Sequence, residues 1–74
     1  MTAPTITPPM KPERMEPAAL LRLFRDLRGW SQEEAADWWG VYGGQVWGRW
    51  ERGERRVPEP LRRAILREIA REGY

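Results

Sequence analysis

The sequence predicts an all-α fold: a small helix-turn-helix domain of four to five helices behind a Pro-rich N-terminal tail. Three observations carry this. Apolar residues recur at helical spacing in separate short runs, a helix-capping signal opens the second run, and glycine or proline punctuates each junction.

Residues 1–15 hold Pro4, Pro8, Pro9 and Pro12 among Thr, Ala and Met. That composition favours extended, polyproline-like conformations and cannot build a core, so a disordered tail is expected. The domain is expected over 16–74. Glu16 and Pro17 open the first helix, because proline suits the first helical turn, and Leu20, Phe24 and Leu27 follow at helical spacing until Gly29. Ser31 stands three residues before Glu34, the capping-box spacing in which hydroxyl and carboxylate each satisfy a free N–H at a helix start. Helix two then carries Ala35, Ala36, Trp38 and Trp39 and meets Gly40, which suits a left-handed cap.

After Val41 and Tyr42, the run Gln45, Val46, Trp47, Arg49, Trp50 and Glu51 forms helix three and ends at Gly53. Arg55 and Arg56 fall in a loop. Pro58 and Pro60 open the last helix, with Leu61, Ile65 and Ile69 on one face and Leu66 beside them.

The chain has 74 residues with no Cys and no His, so neither disulfides nor a thiolate metal site supplement its core. Five Trp answer that need, since each aromatic ring buries roughly 150–250 Å². Trp30 is expected to pack under helix one. No run of about 20 apolar residues spans a bilayer and no basic-then-apolar leader opens the chain, so a cytoplasmic protein without membrane contact is expected.

Net charge is +2, but residues 49–71 hold eight Arg against four Glu. Twelve of the 13 cations are Arg, which suits bidentate contact with phosphate or carboxylate. Arg49, Arg52, Arg55 and Arg56 form the densest cluster, partly cancelled by Glu51 and Glu54, and point to nucleic acid, to an acidic protein face or to plain solvation.

The strings Gly29-Trp30-Ser31-Gln32-Glu33-Glu34-Ala35-Ala36, Gly40-Val41, Arg49-Trp50-Glu51-Arg52-Gly53 and Val57-Pro58 resemble the Cro/C1-type (XRE) helix-turn-helix family over roughly residues 17–70. The resemblance implies DNA-facing positions at Gln32 and at Gly43, Gly44, Gln45, Gly48 and Arg49, places Trp39, Trp47 and Trp50 inward, and puts Trp38 in a usually solvent-facing slot suited to a partner contact. The turn is one residue longer than the family's usual spacing, so Tyr42 and Gly43 stand where an apolar residue and a Ser cap are expected. Base readout needs donors and acceptors in the groove, and three of these six positions are glycine, which leaves Gln45 and Arg49. Glycine also costs about 0.5–1 kcal/mol relative to alanine inside a helix, so Gly44 and Gly48 imply either a close partner or a packing role, with Gly43 and Gly44 forming only the turn and Gly48 making room for Trp39 or Trp47.

Two functional expectations follow. The eroded reading helix, the small size and the tail resemble a phage-encoded factor that binds bacterial RNA polymerase, blocks initiation and promotes terminator read-through. The tail residues Thr5, Ile6, Pro8, Pro9 and Met10 and the spare Trp38 would then dock on the protein partner, and the factor would act as a monomer. The alternative is a sequence-specific repressor that dimerises on a palindrome. Neither needs a cofactor. With no His, no Cys, no phosphate-cradling Gly loop with Lys and no evident carboxylate pair, the sequence argues against an enzyme and against a bound metal, and Ser31 and Glu34 read as helix caps.

Overall fold

The computed structural model describes residues 11–72, and all the regular elements among them are helical. A short 3-10 turn (Pro12–Arg14) leads into α1 (Pro17–Arg28), α2 (Gln32–Trp39), α3 (Gly44–Glu51) and α4 (Glu59–Arg71). Residues 11–15, which the sequence assigns to the tail, are part of the fold. Met15 is half-buried against the core, and Arg62 donates to the Glu13 carbonyl at 3.4 Å. A single apolar side chain in a Pro-rich stretch gives no periodicity, so this attachment is invisible to a reading based on spacing.

Each helix starts and stops for a local reason. Pro17 sits in the first turn of α1, where its missing N–H has no bond to lose. At α2 the capping box is complete: the Glu34 N–H donates to Ser31 Oγ at 3.1 Å, and the Ser31 N–H donates to Glu34 Oε1 at 2.8 Å. Removing the hydroxyl with Ser31→Ala is expected to cost about 1 kcal/mol, read as a fall of several degrees in the thermal midpoint by circular dichroism.

The turn between α2 and α3 depends on two glycines. Gly40 closes α2 at φ 91°, and its N–H and that of Val41 both donate to the Ala36 carbonyl, at 2.9 and 3.0 Å. Gly43, at φ 78° and ψ 161°, precedes α3 in a conformation essentially confined to glycine. No side chain caps α3, as the absence of the expected Ser implies.

The core sits where the four helices meet. Leu20, Leu21 and Phe24 of α1, Ala35 and Ala36 of α2, Trp47 and Trp50 of α3, and Leu61, Ile65 and Ile69 of α4 are buried. A chain of rings extends this core: Phe24 meets Trp38 at 4.9 Å and Trp30 edge-on at 5.7 Å, and Trp38 meets Trp39 at 6.0 Å. Trp30 packs against α1 as expected, and Trp39 is half-buried. Arg28 ties the end of α1 to α4, donating to Glu68 at 2.7 Å and Glu72 at 2.6 Å while its guanidinium lies 5.0 Å from the Phe24 ring centre.

Candidate nucleic-acid and partner interface

The functional candidates converge on α3 because of how closely it lies against the start of α2. Gly44 has no side chain to hold the helices apart. A Cβ placed there would fall 3.0 Å from the Glu33 backbone nitrogen and 3.2 Å from the Gln32 carbonyl carbon. At Gly48 a Cβ would meet the Gln32 side-chain oxygen at 3.1 Å and an Arg52 guanidinium nitrogen at 3.2 Å. Gly44 therefore serves the α2–α3 contact, whereas Gly48 faces the side-chain ends of Gln32 and Arg52 and not Trp39 or Trp47.

Beneath this contact lies Glu51, a buried carboxylate with 5% of its surface exposed. Arg25 donates to both of its oxygens, from Nε at 2.7 Å and Nη2 at 3.0 Å, in the fork geometry that suits guanidinium and carboxylate. Gln32 Nε2 donates at 3.1 Å and Trp47 Nε1 at 2.8 Å. Arg22 stands further off, at 3.9 Å. Burial pushes the carboxyl up, but the hydrogen bonds from Arg25, Gln32 and Trp47 outweigh it and hold Glu51 below the usual carboxylate range. Arg25 is correspondingly raised, first by its hydrogen bond to Glu51.

This junction was missed in the sequence, where Glu51 is read only as a partial neutraliser of the arginine cluster. The signal was present. Glu51 lies four residues after Trp47 and three after Gly48, on the face that packs inward, and an acid there needs donors from neighbouring helices.

The site residues read from the sequence divide by their surroundings. Gln32 is half-buried with its amide bound to Glu51. Gln45 and Arg49 are exposed, one helical turn apart on α3. Arg52 is exposed and paired with Glu54, Nε to Oε2 at 2.9 Å and Nη2 to Oε1 at 3.3 Å. That pairing raises Arg52 and lowers Glu54. Arg55 and Arg56 are exposed in the loop before α4, and among the described residues neither they nor Arg49 form an ion pair. Trp38 is half-buried, packed on Phe24 and its neighbours. Thr5, Ile6, Pro8, Pro9 and Met10 lie outside the described residues.

An open groove of about 780 Å³ runs between the start of α2 and α3, lined among others by Arg25, Glu33, Gln45, Arg49 and Arg52. Its open shape, with a lining as polar as it is apolar, suits contact with an extended polyanion or a protein loop rather than enclosure of a small apolar molecule. Among the described residues no group of three or more acidic, His or Cys side chains is placed to hold a metal, and no helix is long and apolar enough to cross a membrane. Comparison with protein families, with curated proteins and with solved structures finds no match.

Proposed function

We propose that the chain is a transcription regulator of helix-turn-helix fold that acts in the cytoplasm by docking, as a monomer, on bacterial RNA polymerase, inhibiting initiation and promoting antitermination. The supporting observation is the bareness of the α2–α3 face. Gly44 is committed to packing, Gly48 offers no side chain, Gln32 is bound to Glu51, and Gln45 and Arg49 are the base-reading side chains that remain. A good bidentate base contact discriminates by about 1–3 kcal/mol, so two such contacts fall at the low end of the roughly 4–10 kcal/mol that separates specific from nonspecific DNA binding. Surface docking, rather than the readout of a duplex sequence, is the use such a face retains.

A Cro/C1-type repressor is the second reading, favoured by Arg49, Arg55 and Arg56, which are exposed, form no ion pair among the described residues and suit phosphate contact. It requires a dimer to double the number of base contacts. Retention on immobilised RNA polymerase at physiological salt separates the two. The full-length chain is expected to be retained and a variant lacking residues 1–10 to lose most of that retention. Loss of both, together with tight and sequence-selective retention on genomic DNA fragments, would replace the polymerase reading with the repressor.

A further inference from the structure

Among the aromatic side chains of the described residues, Tyr42 stands apart. Phe24 and the five Trp are buried or half-buried, whereas Tyr42 is 100% exposed. It lies in the turn two residues ahead of α3, next to Gly43, beside which a Cβ would meet nothing within 4 Å, so the backbone there is open to close approach. Gln45 and Arg49 follow on the exposed face of α3, a helix roughly 12 Å long at 1.5 Å per residue. At its far end the chain folds back: the N–H groups of Glu54 and Arg55 donate to the Arg49 carbonyl at 2.9 and 3.3 Å. That brings Arg55, and with it Arg56, beside the end of α3. Arg52, between them in sequence, is neutralised by Glu54.

We propose that this strip binds single-stranded nucleic acid, with Tyr42 stacking on an unpaired base and Arg49, Arg55 and Arg56 holding phosphates. A duplex hides its base faces in the stack, and a strip with a stackable ring but few base-reading groups has little to offer it. A single strand presents both partners the strip needs, base faces and a charged backbone. The inference deepens the proposed function at the same α3 face, and rests on the reading that this face does not spell out a duplex sequence.

Fluorescence anisotropy of the full-length protein with labelled oligouridylate, oligothymidylate and a duplex of equal length, over a range of salt, tests it. Both single strands are expected to bind more tightly than the duplex. The stronger of the two identifies RNA or DNA as the source. Tyr42→Ala is expected to weaken single-strand binding between about 5- and 150-fold with an unchanged salt slope, and Tyr42→Phe to restore it. Arg49→Ala is expected to reduce the slope by about 0.7, the value for one phosphate contact on a single strand. Since the Tyr42 side chain is fully exposed, its variants should keep the wild-type melting curve. Binding of the duplex as tightly as of the single strands, or no change in Tyr42→Ala, would overturn the inference. If Tyr42→Ala leaves oligonucleotide binding intact but abolishes retention on polymerase, the ring belongs to the protein contact. This inference then falls while the proposed function stands.

Discussion

Glu51→Ala is expected to leave the domain only marginally stable at room temperature, with about 0–2 kcal/mol remaining. Removing one partner of a buried ion pair costs about 3–5 kcal/mol, because the other charge and its hydrogen-bonding neighbours lose their acceptor. Here three donors are stranded together: the Arg25 guanidinium, the Gln32 amide and the Trp47 indole N–H. Arg25 retains 22% side-chain exposure and can recover some hydration, which places the loss toward the lower end of that range. Trp47 is fully buried and cannot. A domain of this size has only about 3–5 kcal/mol to lose. Urea denaturation followed by circular dichroism and Trp fluorescence checks this; a midpoint close to wild type would mean that Glu51 contributes nothing net to stability. Glu51→Gln, which keeps the shape and one acceptor, is expected to lose less and to remain folded.

The same carboxylate makes stability depend on acid. A group whose folded-state pKa lies below its unfolded value contributes stability above the unfolded pKa, and that contribution disappears as pH falls through the folded one. Glu51 is lowered, so wild-type stability is expected to hold at neutral pH and fall below the ordinary Glu value of about 4.3. Glu54, also lowered, is exposed and adds little. Measured as urea midpoint against pH, the acid limb should be shallower in Glu51→Gln, which has no proton to take up at that position. Equal limbs in the two proteins would assign acid sensitivity to other carboxylates.

The elements were legible in the sequence where their signals are local. The Ser31–Glu34 box, Gly29 and Gly40 at helix ends, Pro17 at a start and the Leu61, Ile65 and Ile69 stripe each state a boundary or a face within a few residues, and the structure places them accordingly. What escaped are features created when distant segments meet. Met15 has no apolar neighbours in sequence, yet it covers the core. Arg25 and Glu51 stand 26 positions apart, and nothing in the run around either names the other. Gln32 occupies a DNA-facing position by family resemblance, but its amide is held by an acid that the helix-three pattern presents merely as polar. Periodicity tells which face turns inward, and a charge on such a face is the one indication that a partner must come from elsewhere.

The glycines of α3 offer the sharpest test of that tertiary origin, because helix propensity and packing predict opposite signs. By propensity alone, Gly→Ala stabilises a helix interior by about 0.5–1 kcal/mol, in full at Gly48 and in smaller part at Gly44, the first residue of α3. Packing distinguishes the two. At Gly44 the new methyl would press on the Glu33 nitrogen and the Gln32 carbonyl carbon, backbone atoms of a helix start fixed by the Ser31–Glu34 box. Overpacking of that kind costs about 1–3 kcal/mol, so Gly44→Ala is expected to lose about 1–2 kcal/mol net and to separate α2 from α3. At Gly48 the methyl would meet only the ends of the Gln32 and Arg52 side chains. These can turn away, Arg52 freely and Gln32 by loosening its bond to Glu51, so Gly48→Ala is expected to fall within about 0.5 kcal/mol of wild type. Thermal denaturation of the two variants side by side distinguishes the causes. A midpoint raised in both would show that neither glycine is held in place by the neighbouring helix. A fall confined to Gly44→Ala would tie the missing side chain to the approach of α2.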